Sequence, residues 1–490
     1  MRDGNGHVRL GIGGGVVAVV LIVLLINTLR TKSRQIRVDP APAIVFDEMA
    51  AAQRLAEAVR FKTVAPAQPD QLDAKPLLAL HEFLRASFPG VHRALRREVV
   101  NDHSLLYTWP GNAATRKPIL LMAHLDVVPV ESAAEREWIE PPFSGRIADG
   151  YIWGRGSIDD KSAVLGILEA VEYLVQANAR PARTVYLAFG HDEESRGHDG
   201  AERIAAVLKA RGIAVEYVLD EGMVIGERLV PGVRAPVALV GTAEKGWLTI
   251  ELSAGGAGGH ASMPPAHTAI GLLATALHRI EAHPLPAALK PPVTDLFAAV
   301  TREMPFLQRM LFANLWMFSP LIVRRLAAAP ASNAIVRTTT AVTVVQGGTR
   351  DNVLPKAATA LVNFRILPGE TAAKVMQSIR GIVNDPRIEL RLIKQEEPSA
   401  VSTTASASYR MIATTIRQVF PGVLVAPALA VVRTDSSHFL DISDAVYRFR
   451  PLRFTAEDLT RIHGVNERLA VDAYAGLVRF YIELLRNSAL

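Results

Sequence analysis

Three clusters of histidine and acidic residues each follow a short apolar run. His124, Leu125 and Asp126 follow 119–123; His191, Asp192, Glu193 and Glu194 follow 184–189; Asp220, Glu221 and Gly222 follow 215–219. If the runs are strands of an open α/β sheet, three strand ends deliver carboxylates and imidazoles to one rim, where the sites of such sheets gather. Two further clusters join them. One runs from Gly154 to Lys161 with Asp159 and Asp160, at the start of an expected helix; the other runs from Arg461 to Glu467 with His463. The chain has no cysteine, which excludes a disulfide framework, a thiolate metal site and a cysteine nucleophile. Carboxylates with imidazoles and no sulfur suit zinc in a catalytic site. A carboxylate shared by two metals would hold them about 4 Å apart, and the pair could share one hydroxide and polarise one carbonyl. The adjacent Glu193 and Glu194 then divide the work, one binding metal and the other moving a proton.

The elements that must position these residues are legible as a pattern. With 490 residues, 49% of them hydrophobic, the chain can bury the cores of two or three domains. Helices are expected over 46–61, 161–175 and 201–211, alternating with the apolar runs at 119–123, 184–189 and 215–219. Such alternation predicts an α/β domain whose sheet has a largely parallel core flanked by helices. Near residue 245 the pattern changes. A strand at 247–252 leads into glycines at 255–259 and a helix at 268–281. An apolar, irregular stretch covers 288–335, and strands are expected at 338–345 and 359–366. This reads as an inserted α+β domain over 243–395, which splits the α/β domain into 46–242 and 396–490.

Together the motifs resemble those of the di-zinc exopeptidase family that includes carboxypeptidase S, aminoacylase, glutamate carboxypeptidase and succinyl-diaminopimelate desuccinylase. The resemblance runs from about 45 to 485 through at least six ordered motifs. The run from His191 to Glu194, Gly222 after Asp220, and the ending from His463 to Glu467 look most like carboxypeptidase S and the secreted N-acyl-amino-acid synthase/hydrolase branch. It implies two zinc ions per chain, with cobalt or manganese as substitutes. His124 would bind one zinc, tuned by Asp126, and Asp159 would bridge both through a site whose Asp159–Asp160 peptide is cis. Glu193 would be the general base and acid, while Glu194 and His463 bind the second zinc. Asp220 would complete the first zinc's shell, with the adjacent Glu221 as the alternative. The inserted domain resembles a lid and dimerisation domain. Its His260, in Gly258-Gly-His260-Ala-Ser, would stabilise an oxyanion in a neighbouring active site. Asn352 and Arg365 would grip a substrate carboxylate, with His438 as a further substrate contact or a plain loop residue. Ser162, Ser195 and Arg196 depart from the commoner residues and bear on loop shape more than on chemistry.

The net charge is +6, but residues 1–40 carry six basic and two acidic side chains, leaving a nearly neutral body. That argues against nucleic acid as a partner. No charge interrupts 10–29, and twenty helical residues span about 30 Å. A single transmembrane helix or signal anchor is expected there, followed by a linker over 30–45. The basic flank places the body on the cytoplasmic side; the family resemblance points the other way, so the side stays open. The aromatic cluster at 306–318 reads as lid core, with a substrate channel or a membrane contact as the other reading.

The reaction expected is zinc-dependent hydrolysis of an amide beside a free carboxylate in small peptides, of carboxypeptidase or dipeptidase type. One alternative is an N-acyl-amino-acid hydrolase or synthase of aminoacylase type. Another is a non-catalytic, membrane-anchored binding module of the same fold. A homodimer through the lid is the expected assembly.

Overall fold

The computed structural model describes residues 5–490 except 114. Its centre is a ten-stranded mixed sheet. Strands Val185–Gly190, Ile119–His124, Val218–Asp220 and Val446–Arg448 lie side by side and parallel, and antiparallel strands such as Arg96–Val100 and Ser104–Trp109 close one edge. All six residues of Ile119–His124 are buried, as a strand covered on both faces requires. One face is covered by the helices Glu48–Val59, Lys161–Gln176, Ala407–Val419 and Val471–Ser488, and the other by Ala201–Ala210. These elements match the expected ones to within a few residues.

Register positions the site. Parallel pairing sets His124 level with Gly190, and Leu121 level with Leu219. The residues after each strand therefore emerge along one rim. Val446–Arg448 runs parallel to Val218–Asp220 and brings the C-terminal part of the chain to the same place. A small sheet pairs Arg468 with Trp153, which lays the segment before Glu467 against the loop holding Asp159.

The inserted region has two parts that pack differently. An antiparallel sheet of Thr339–Gly347, Ala357–Ile366, Gly246–Gly255 and Ile388–Glu396 carries helices Ala269–Ala282 and Ala372–Val383 on one face. Its central strands alternate buried and half-buried, as a one-sided sheet should. The stretch expected to be irregular is instead helical: Val293–Val300, Phe306–Ala313, Leu315–Leu326 and Pro330–Val336. It packs on Val237–Glu244 and Leu424–Ala430 of the main sheet, with Phe297 stacked on Phe312 at 4.3 Å. Pro305, Pro320 and Pro330 punctuate the stretch, and no helix in it exceeds twelve residues. A helical period has too little length to show in the sequence.

The transmembrane expectation needs correcting. The N-terminal helix covers Asn5–Arg30, but among the described residues no single helix is long and apolar enough to cross a membrane. Its described apolar stretch is Gly15–Arg30, about 24 Å long against a hydrocarbon layer of about 30 Å. Side chains 10–14 of the expected span lie outside the described residues.

Candidate active site

His124 closes its strand. Its Nδ1 donates to the Asp126 carbonyl at 3.0 Å, which fixes the tautomer and leaves Nε2 facing Asp159 Oδ1 at 3.2 Å. Asp126 is buried. Its Oδ1 accepts from the Glu193 amide at 3.2 Å and its Oδ2 from the Glu194 amide at 3.0 Å, so one carboxylate orients the loop carrying both glutamates. Asp159 Oδ2 accepts from His463 Nε2 at 3.1 Å, and Glu194 Oε1 lies 3.3 Å from the same nitrogen. The two oxygens of Asp159 thus face two different imidazoles.

Glu221 belongs to this arrangement. Its carboxylate clusters with His124 and Asp159, each offering an atom within 4.8 Å of the others; Asp159, Glu194 and His463 form a second such group, and His124, Glu193 and Glu194 a third. Asp220 points elsewhere. Its Oδ1 accepts from the Glu221 amide at 2.9 Å and its Oδ2 from the Ser436 amide at 2.8 Å, so it anchors the turn at Asp435–Phe439. Arg450 lies in the same cluster, buried, with Nη2 2.8 Å from Asp159 Oδ1 and paired with Glu221.

A metal fits these residues. Glu194 Oε1 is buried and accepts no hydrogen bond among the described residues, leaving a lone pair aimed into the cluster. Burial, together with Glu221, Asp435 and Glu194 and against the pull of His124, holds the Glu193 carboxyl well above the usual range. The carboxylates of Asp159 and Glu194, 3.1 and 3.3 Å from its Nε2, push His463 up to about 10. Crowded carboxylates facing two imidazoles are a site that cations would relieve.

Residues 120–487 match the sequence profile of peptidase family M20/M25/M40. The chain belongs to this peptidase family. Its relatives include a probable carboxypeptidase S-like protein of Dictyostelium discoideum, 40% identical over 96% of this chain and 92% of that one. An N-fatty-acyl-amino acid synthase/hydrolase of Xenopus tropicalis is 39% identical over 96% of this chain and 93% of its own. A solved M20 metallo-carboxypeptidase from Sulfolobus solfataricus shares the fold, with a TM-score of 0.62 at 17% identity, covering 90% of this chain and 99% of that one. The chain is thus a hydrolase of a metallopeptidase family.

Other residues of this M20 peptidase fall in different places. A cleft of about 630 Å³ opens over the cluster, lined in part by Arg196, Trp247, Arg365, Lys394, Arg433 and His438. Arg365 lies 3.6 Å from the centre of the Trp247 ring. His438 Nε2 donates to the Arg196 carbonyl at 3.0 Å, and with His198 and Glu202 it makes a separate cluster at the rim. His260 and Asn352 lie outside the cleft lining. Both are exposed, and His260 pairs with Val353 in a two-residue ladder beside the four-stranded sheet.

Glu467 and Arg155 lie inside two of the sequence clusters, where no local signal marks them, and act as positioning residues. Glu467 is fully buried. Its Oε1 accepts from the amides of Gly156, Ile158 and Asp159 at 2.9, 2.8 and 3.2 Å, and its Oε2 pairs with Arg155 Nη1 at 2.6 Å. Arg155 in turn donates to the carbonyls of His463 and Gly464. One ion pair therefore holds the Asp159 loop, with its cis Asp159–Asp160 peptide, against the His463 turn. Glu467→Ala would leave Arg155 buried and unpaired. The expected cost is about 3–5 kcal/mol of stability, read as a lower urea midpoint in metal-free protein.

Proposed function

We propose that this peptidase hydrolyses an amide bond beside a free carboxylate in a small substrate, using two zinc ions. The placement of Asp159 carries the reading: one oxygen on each of two imidazoles, with Glu221 grouped on the His124 side and Glu194 on the His463 side. His124, Asp159 and Glu221 would hold one ion; Asp159, Glu194 and His463 would hold the other. When bound, the ions would lower the pKa of a water and polarise the scissile carbonyl. Glu193 takes the proton from the attacking water and hands it to the leaving nitrogen. Asp126 fixes the direction of Glu193 through the backbone. Arg365, stiffened by Trp247, is the fork for the substrate carboxylate, in a cleft wall that also holds Arg196, Lys394 and Arg433. A cleft of this size accepts a small molecule and excludes a folded protein.

A second substrate reading has its own support. Trp247, Val432, Leu459 and Ile462 give the cleft an apolar side. With the N-fatty-acyl-amino acid synthase/hydrolase relatives, this favours N-acyl amino acids alongside peptides. The deciding experiment is a panel of dipeptides and N-acyl amino acids given to zinc-loaded protein, each with its C-terminal amide analogue. Turnover of one class, lost when the carboxylate is amidated, is expected. Equal hydrolysis of the amidated analogues, or full activity after chelation, would sink the proposal.

On this reading His260 and Asn352 serve the cleft of a second copy joined through the lid, whose edge strand leaves Val344 and Val345 exposed. His260→Ala and Glu193→Gln chains should each be inactive alone. Mixed after dissociation, they should regain about a quarter of wild-type sites, since half the dimers would be hybrid with one complete site each. The N-terminal helix would attach the chain to a membrane, its Val16, Val19, Leu21 and Ile22 being 55% to 60% exposed.

A further inference from the structure

The helical pair Phe306–Ala313 and Leu315–Leu326, bent by 109°, has two unlike faces. Leu311, Phe312, Leu315 and Phe318 turn inward onto the core beside the main sheet. Phe306, Leu307, Trp316, Met317 and Leu321 turn outward, 44% to 69% exposed. The pair is also latched to the N-terminal helix. Asn314 is fully buried; its Nδ2 donates to the Leu24 carbonyl at 3.2 Å and its Oδ1 accepts from Asn27 Nδ2 at 2.9 Å. Asparagine pairs of this kind join helices in apolar surroundings.

We infer that this bent pair is a second membrane contact, its outer face resting in the interfacial layer of a lipid bilayer beside the N-terminal helix. The inference rests on the reading that residues 15–30 enter a bilayer. Depth follows from the latch. Leu24 lies six residues before Arg30, about 9 Å along the helix axis, so the pair meets the helix near the headgroup boundary rather than far from it. A tryptophan suits that depth. Charge chooses lipid over a second copy of the chain. Residues 30–38 and 301–328 carry four basic side chains each (Arg30, Lys32, Arg34 and Arg37; Arg302, Arg309, Arg324 and Arg325), against one acidic, Glu303. Two such surfaces would repel each other, whereas anionic headgroups would draw them in.

The test uses full-length protein with vesicles of phosphatidylcholine and a minority of phosphatidylglycerol. Flotation reports whether the chain is attached to the vesicle at all. Quenching by phosphatidylcholine brominated high on its acyl chains reports on Trp316, read as the difference from Trp316→Phe. That substitution removes an exposed ring and keeps the Asn314 bonds to Leu24 and Met310. Bromolipid should quench most of the Trp316 emission, while aqueous acrylamide should not. Flotation with Trp316 open to acrylamide and untouched by bromolipid would overturn the inference and leave the helix reading standing. Absence of both flotation and quenching would sink the reading of residues 15–30 as a membrane segment, and the inference with it. Shielding from both quenchers would show a second copy covering the face and would overturn the inference.

Discussion

Glu193→Gln lowers kcat by about 10²- to 10⁴-fold with bound metal unchanged. Glutamine fills the same space, and the loop keeps its direction because Asp126 holds the amides of residues 193 and 194 rather than the Glu193 side chain. What is lost is a group that can accept and return a proton. Glu194→Gln is the internal control: its Oε1 is the buried lone pair aimed at the second metal position, so that variant should lose metal. Metal analysis beside steady-state kinetics separates the two. A Glu193→Gln kcat within tenfold of wild type would remove Glu193 from the proton path.

Asp159→Ala should bring activity to background and bound metal from about two ions per chain to one or fewer, since both groups use this carboxylate. Neighbouring substitutions give the prediction resolution. Glu221→Gln should weaken one ion and spare the other, because its cluster holds His124 and Asp159 but not His463. Asp220→Asn should leave metal content nearly intact and lower stability, because its oxygens hold the amides of Glu221 and Ser436. Metal counted by mass spectrometry after dialysis against weak chelator checks all three. Loss of metal in Asp220→Asn with none in Glu221→Gln would reverse the assignment of this strand end.

The rim was legible in the sequence because apolar runs ending in His, Asp or Glu have few other reasons to exist. A fully buried strand tolerates a charge only where it leaves the sheet. The choice between Asp220 and Glu221 was not legible. Adjacent residues at a strand end point to opposite sides, and Asp220 is claimed by an amide 216 positions away. Arg155 and Glu467 meet across more than 300 residues, and Arg450 reaches Asp159 across nearly as many. No local pattern announces a long-range ion pair. His260 and Asn352 were marked by their motifs, yet the structure sets both outside the cleft lining, a placement that no local pattern announces. The bent helical pair was missed for another reason: short, proline-punctuated helices with apolar residues on both faces have no clean period.

The contact between the Asp159 loop and Glu467 also sets a timetable. His463, Glu467 and the helix Val471–Ser488 follow His124, Glu193 and Glu221 by more than 240 residues. Synthesis runs from the N-terminus at about 5–20 residues per second. Until residues 463–467 have been made, His124, Glu193 and Glu221 lack the loop support that Glu467 gives and the second imidazole. A nascent chain that has not reached His463 therefore holds an incomplete cluster. On the proposed reading, metal loading and activity wait for that segment.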